Sequence, residues 1–449
     1  MSENTGLFDG VLAAGPVRER TGDIAWLQAM LDFEAALARA EAEVGLVEPE
    51  HAKAIAGVAR AELYDVSALG EKAAGIGNPA GPLVRALTER AGDAGRSVHL
   101  GATSQDVVDT AAMLVAHRAL GALLEELDAC AGSLAALAAR HVHTAQAGRT
   151  LLQQAMPTTF GLTAAGWLSG VDAAAHRLQI VREERLAVQL GGAVGTLASL
   201  GGHGPEVLRG VARRLGLAEP ALPWHTERTR IAELAAALAE VSGAVAKIAR
   251  DLVLLAQTEI AEVREDGPAG SGGSSTMPHK RNPVAAVAAA ASAQQAPGLV
   301  ATLLGAAAQE HQRAVGSWHA EWRPLRELLR STGSAVSWLR TALDRLGVDT
   351  VRMRANLDAT GGLLLAERVT TALAPAVGRL KAHDAVTACC RRTVAGEGEL
   401  SDLLAADPLV GAHLSRDRIA ELLDPAGYLG SAEEFVARAL AAHRERKSR

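Results

Sequence analysis

The chain has 449 residues and a formal net charge of −6, a balance that argues against nucleic acid as a partner. Hydrophobic residues make up 49% but aromatics only 3%, so alanine and leucine carry the apolar content, which favours closely packed helices over a β-sandwich. An all-α chain of this length divides into two or three domains.

The opening MSENTGLFDG has no basic segment leading into an apolar one, so no signal peptide is expected. The three cysteines are Cys130 and the adjacent Cys389 and Cys390. They have no zinc-like spacing and make a poor disulfide framework, which points to a reduced cytoplasm with no metal and no cofactor. Residues 1–106 read as short helices, the clearest from Ile24 to Val44 with Trp26, Met30, Phe33, Leu37 and Ala40 at helical steps. A turn-rich stretch, Gly75 to Pro82, precedes another helical one.

From about residue 107 to 344 the pattern is that of long bundle helices. Met113, Leu120, Leu127 and Leu134 recur every seven residues, and a second helix begins near Pro157, with Leu162 to Arg185 free of breakers except Gly166 and Gly170. The cleanest seam is Ile231, Leu234, Leu238, Val241, Val245, Ile248, Leu252 and Leu255. Continuing its register reaches Glu259 and Glu262, so the seam turns acidic. A fourth helix runs from Pro283, kinked near Pro297, and a fifth carries Leu325 to Leu346. The uncharged Val284–Ala308 mimics a membrane span, but its alanines, Gln294, Gln295 and Pro297 suit a buried bundle helix, so no membrane partner is expected. Residues 345–449 form a smaller helical domain, and no convincing strand pair is expected anywhere.

The stretch AGSGGSSTMPHKRNP, Ala269 to Pro283, interrupts this pattern. Its Gly/Ser half holds no regular structure, and Asn282 and Pro283 fit as N-cap and first residue of the next helix. A serine-rich loop feeding a cationic knuckle and a helix N-terminus suits closure over an anion. Two more polar stretches lie at helix ends. Thr103-Ser104-Gln105-Asp106 reads as a capping box that can also bind an anion. Gly148-Arg149-Thr150-Leu151-Leu152-Gln153 precedes the second helix.

GSSTMPHKRNP resembles the GSSxMPxKxNP loop of the fumarase/aspartase superfamily. GNPAGPLV, VHLGATSQDVVDT, GRTLLQQAMPTTFGL, QLGGAVGTLASLG, PWHTERTRIAEL and GSWHAEW occur in the order and spacing of its carboxymuconate cycloisomerase family. The resemblance covers residues 75 to 322. It implies a three-domain all-α fold (1–106, 107–344 and 345–449), a homotetramer with active sites shared between subunits, and a small tricarboxylate substrate. It implies Ser274 as general base, with Lys280 and Asn282 on a substrate carboxylate. Thr103 and Ser104 sit opposite, Arg149 and Gln153 lie on a third segment, and Asn78 falls where adenylosuccinate lyases carry a histidine; His99 and Arg323 are further substrate-binding candidates, Arg323 by charge alone.

Members that expel an amine or hydroxyl carry histidine in GRTHxQ, where this chain has Leu151. A general acid is worth ~10²–10⁴-fold to such a leaving group, whereas a carboxylate, with an ordinary pKa near ~4, leaves without one. Leu151 therefore favours lactone chemistry. Ser271 stands where many cycloisomerases carry lysine, which leaves the third substrate carboxylate without an obvious partner; Arg323, His319, Arg228 and Arg230 are candidates by charge. The competing readings are a carbon–nitrogen lyase acting on a succinyl-type compound and a catalytically silent bundle protein.

Overall fold

The computed structural model describes residues 6–268, 271–273, 276–277 and 279–448. The fold is all-α, and among the described residues the sheet content is two antiparallel two-stranded sheets. The principal elements are α1 (Asp23–Glu43), α2 (Ala80–Arg90), α3 (Ser104–Arg140), β1 (Ala145–Thr150), β2 (Gln153–Thr159), α4 (Phe160–Ile180) and α5 (Thr229–Leu255). There follow β3 (Val263–Glu265), α6 (Val284–Ala293), α7 (Ala296–Gly305), α8 (Ser317–Asp344), β4 (Leu346–Val348), α9 (Ala366–Val377), α10 (Arg379–Val394) and α11 (Ala432–Ser448).

The long helices follow their apolar periodicity. Every residue of the Ile231–Leu255 seam is buried in α5, none more than 8% exposed. Each contributes roughly 1.5–3 kcal/mol over an exposed side chain. The chain covers this seam itself, so the seam is no argument for further subunits. Helix α5 stops at Leu255, and Glu262 is reached through a turn in which Ala261 has φ +49°, not by continuing the helical register.

Helix α6 begins at Val284, and the break before α7 leaves Pro297 in that helix's first turn. Just before α6, Asn282 Nδ2 donates to the Gly272 carbonyl at 3.1 Å. By length and composition α3 and the Val284–Gly305 stretch could each cross a membrane, yet 78% of the apolar window in α3 is buried within the chain. In Val284–Gly305 only 39% is, leaving Val287 and Leu304 among its exposed apolar side chains.

The hairpin β1–β2 is a departure from expectation. Thr150 pairs with Gln153, so the connection is Leu151-Leu152 alone, with φ +52° and +64°. Positive φ at both central positions defines the tight turn that matches strand twist, and Asn-Gly or Asp-Gly normally fills it. Two leucines give no such signal. Strands β3 and β4 pair Val263 with Val348 and Glu265 with Leu346, joining residues too short and too distant for a sequence pattern.

The chain forms two compact units. One comprises Met1–Ala129, Ala173–Ala249 and Ala285–Thr341; the other comprises Cys130–Asp172, Arg250–Val284 and Ala342–Arg449. Within the second, Val369 and Leu373 of α9 and Val386 and Cys389 of α10 build a core that Leu404 joins. There His443 and Arg446 of α11 both reach Asp172 of α4, at 2.9 and 2.8 Å.

Candidate functional site

In the first unit, the polar stretches singled out in the sequence converge on two buried carboxylates at the start of α3. Asp106 Oδ2 accepts from the Thr103 amide (3.0 Å) and the Gly192 amide (2.9 Å), and Oδ1 accepts from the Gly191 amide (3.0 Å). His225 Nε2 lies 2.6 Å from the same Oδ1. Half of the expected capping box is therefore present. The carboxylate reaches back to Thr103, while the Asp106 amide bonds the Thr103 carbonyl. The hydroxyls of Thr103 and Ser104 make no hydrogen bond among the described residues, and both side chains remain partly exposed.

One turn further on, Asp109 holds Arg228 through both oxygens, at 2.8 and 3.1 Å, and accepts from the Trp318 indole at 2.9 Å. Arg228 also binds Glu321 at 3.1 and 2.5 Å. Burial works against the charge on Arg228, but Asp109 and Glu321 outweigh it and raise its pKa. Burial also raises that of Glu321, against the pull of Arg228. A buried ion needs such partners, and Arg228 is fully engaged by them. It is an internal tie from HTER to Asp109 of α3 and to Glu321 of SWHAEW rather than a free cation for substrate. Gly101 and Gly192 permit the crowding: an added Cβ at Gly192 (φ +66°) meets the Gly101 carbonyl at 2.7 Å.

The remaining expected residues of this unit are dispersed. Asn78 Oδ1 accepts from the Gly81 amide at 3.1 Å and so caps the start of α2. His319, next to this loop, contacts the Gly77 carbonyl at 3.0 Å. Arg323 is exposed and lines a groove of about 250 Å³ with Trp26, Met30 and Trp322. His99 adopts φ +60° and places Nδ1 2.6 Å from Glu34 Oε1.

In the second unit, Arg149 on β1 forms a bidentate pair with Glu262, at 3.1 and 2.6 Å. Glu262 is fully buried and also accepts from Gln146 and Asn356, each at 2.8 Å. The guanidinium of Arg149 therefore anchors the hairpin. Beyond it the tip is bare: Leu151 is 97% exposed, not packed in a pocket of this chain, and Gln153 is exposed beside it.

The Gly/Ser loop is closed at its base. Gly273 bridges Arg281, and the Asn282 amide and side chain both donate to the Gly272 carbonyl. Gly272, at φ +69°, has no room for a side chain, since a Cβ would lie 2.5 Å from the Asn282 carbonyl oxygen. Lys280 is exposed within this clasped loop, while Ser274 lies outside the described residues. Sequence reasoning named Glu262 only as the acidic end of the seam and missed Glu34, Asp109 and Glu321; these four carboxylates hold Arg149, His99 and Arg228. The three-residue spacing of Thr103 and Asp106 was the one available signal for such a tie.

A helical fold with a clasped Gly/Ser loop and polar helix starts tied by buried carboxylates defines a class. The chain belongs to the lyase family, in the fumarase/aspartase superfamily: residues 12–298 match Lyase and residues 362–439 match the adenylosuccinate lyase C-terminus. It is 49% identical over 441 residues to 3-carboxy-cis,cis-muconate cycloisomerase of Pseudomonas aeruginosa, covering 97% of this chain and 96% of that protein. It is 44% identical to nitrosuccinate lyase of Streptomyces davaonensis, covering 97% and 94%. The crystal structure of 3-carboxy-cis,cis-muconate lactonizing enzyme from Pseudomonas putida superposes with a TM-score of 0.93 at 43% identity, covering 98% and 99% of the two chains.

Proposed function

We propose that the protein is a 3-carboxy-cis,cis-muconate cycloisomerase, interconverting that tricarboxylate and 4-carboxymuconolactone in protocatechuate catabolism. The observation that carries this reading is the hairpin tip. Thr150, Leu151, Leu152 and Gln153 offer no acidic proton where relatives that expel an amine or hydroxyl place a histidine. The leaving group must then be a weak base, and a lactone's carboxylate is one.

In the direction of lactone opening, Ser274 removes the proton next to a carboxylate, and the C–O bond electrons leave with the departing carboxylate. Lactone formation reverses both steps. The intermediate is an enediolate-like anion, stabilised by Lys280, Asn282 and the free hydroxyls of Thr103 and Ser104. The clasp at Gly272–Asn282 closes the base of the loop that carries Lys280. Arg149, fixed on Glu262, sets the hairpin, and Gln153 at its tip faces substrate. Asn78 and Arg323 complete the binding set.

The active species is a homotetramer of cytoplasmic subunits, each divided as 1–106, 107–344 and 345–449, with segments of different subunits forming each site. Supporting this are apolar side chains that a lone chain leaves in water, among them Leu151, Leu152, Val287, Leu304 and Val315.

The likeness to nitrosuccinate lyase favours a second reading, because nitrite is also a weak base and leaves without a proton donor. Ultraviolet assays of the purified protein with 3-carboxymuconate, nitrosuccinate and adenylosuccinate separate the readings. Turnover is expected with the first and absent with adenylosuccinate. Efficient nitrite release with no lactonisation replaces the proposed function by the second reading.

A further inference from the structure

Helix α1 carries two carboxylates, Glu34 and Glu41, two turns apart and buried in the core, at 1% and 0% exposure. They are not alike. Neither oxygen of Glu41 has a partner among the described residues, and burial, then the charge of Glu34, pushes its pKa up to about 9. Glu41 is a neutral acid at physiological pH. Glu34 has one partner: Oε1 lies 2.6 Å from His99 Nδ1, while Oε2 has none among the described residues. A buried carboxylate with a single basic partner holds that partner in its charged form, because the alternative is an unpaired buried charge.

His99 is suited to use that charge elsewhere. Its Nε2 has no hydrogen-bond partner among the described residues, and 19% of the side chain is exposed. It adopts the left-handed conformation at φ +60°, rare outside glycine although histidine tolerates it better than most. It begins the loop that leads to Thr103 and Ser104, whose hydroxyls are also unengaged.

We propose that Glu34 is a positioning residue that keeps His99 as an imidazolium, and that His99 Nε2–H is the cationic donor for the substrate carboxylate left without a lysine by Ser271. This rests on the tricarboxylate reading above. Arg228 cannot serve, since both of its faces are taken by Asp109 and Glu321. The charged groups acting on His99 are Glu34 from α1 and Asp106 from α3, the latter shared with His225. Burial opposes the imidazolium, but Glu34 and Asp106 outweigh it and the pKa of His99 is raised.

The test is Glu34→Gln, which keeps shape and removes charge, with Glu34→Asp as the conservative variant. KM for 3-carboxymuconate should rise at least ~10-fold with kcat changed less than ~3-fold, and Glu34→Asp should recover part of the loss. Histidine C2 hydrogen–deuterium exchange, read by mass spectrometry against pH without substrate, should show His99 titrating above its ordinary value, and lower in Glu34→Gln than in the wild type. A Glu34→Gln enzyme with unchanged KM overturns the proposal. So does a wild-type His99 titrating at or below its ordinary value, even if the variant does not fold. If His99 titrates as expected but the wild type does not turn over carboxymuconate, the assigned substrate fails, and with it the claim that His99 serves a tricarboxylate; its coupling to Glu34 stands.

Discussion

Replacing Glu41 with glutamine should stabilise the protein, by an amount set by pH. The native state raises the pKa of Glu41 from 4.5 to about 9, chiefly by burial. Between those values the folded chain keeps a proton that the unfolded chain releases, so stability falls as pH rises, by about 1.4 kcal/mol per unit. Below 4.5 both states are protonated and the penalty vanishes; above about 9 both are ionised and it is at its maximum. At pH 7 the cost is 7 − 4.5 = 2.5 units, roughly 3 kcal/mol. Glutamine has a similar shape and shares the unmet hydrogen-bonding demand, so it removes mainly the protonation term. Urea midpoints from pH 5 to 8, at fixed protein concentration, give the difference between variant and wild type. It should be about 1 kcal/mol near pH 5 and about 3 at pH 7. A difference that does not change with pH refutes the reasoning, and means Glu41 is ionised in the fold.

Glu262→Gln should lower stability by about 3–5 kcal/mol and disorder the hairpin, because it strands the Arg149 guanidinium; thermal unfolding and proteolysis near Leu151 measure both. Asn at 151 with Gly at 152 should relieve two strained backbone positions and stabilise the hairpin by about 1 kcal/mol, and activity reports whether the exposed leucines serve the site. Leu151→His should give no gain in cycloisomerisation, and the unmodified protein should be inactive on adenylosuccinate, argininosuccinate and malate; efficient elimination from any of these by the unmodified protein would sink the leaving-group argument. Ser274→Ala should cut turnover at least ~10²-fold with substrate affinity kept, and near wild-type turnover would shift the base to a neighbour such as Ser275.

The helices were legible because their information is local and repeated: Leu234, Leu238, Val241 and Val245 are buried at the steps their spacing dictates. The β1–β2 hairpin was not, because Leu151 and Leu152 hold a glycine-like conformation that their side chains disfavour, so tertiary context decides it. Asn282 shows a related limit. An Asn-Pro before alanines reads as an N-cap, which gives no hint that the Nδ2 of the same side chain donates to the distant Gly272 carbonyl and closes the loop. The outward half of the candidate site could be named from the sequence, since GSSTMPHKRNP and TSQD are contiguous. The inward half could not: Glu34 and His99, or Arg149 and Glu262, are 65 and 113 positions apart.

The tie among Asp109, Arg228, Glu321 and Trp318 has a consequence for how such a chain can change over generations. Each member satisfies charge or hydrogen-bonding capacity that another would leave stranded in the interior. A single replacement is therefore costly, while a matched set of replacements can be nearly neutral. Random drift proceeds one substitution at a time, so it meets a barrier at these positions and passes more freely at Ser271, Leu151 and Gln153, which are exposed and bound to little. New substrates should be acquired at those outer positions over a frozen interior, and a library restricted to them should yield altered specificity with few unfolded members.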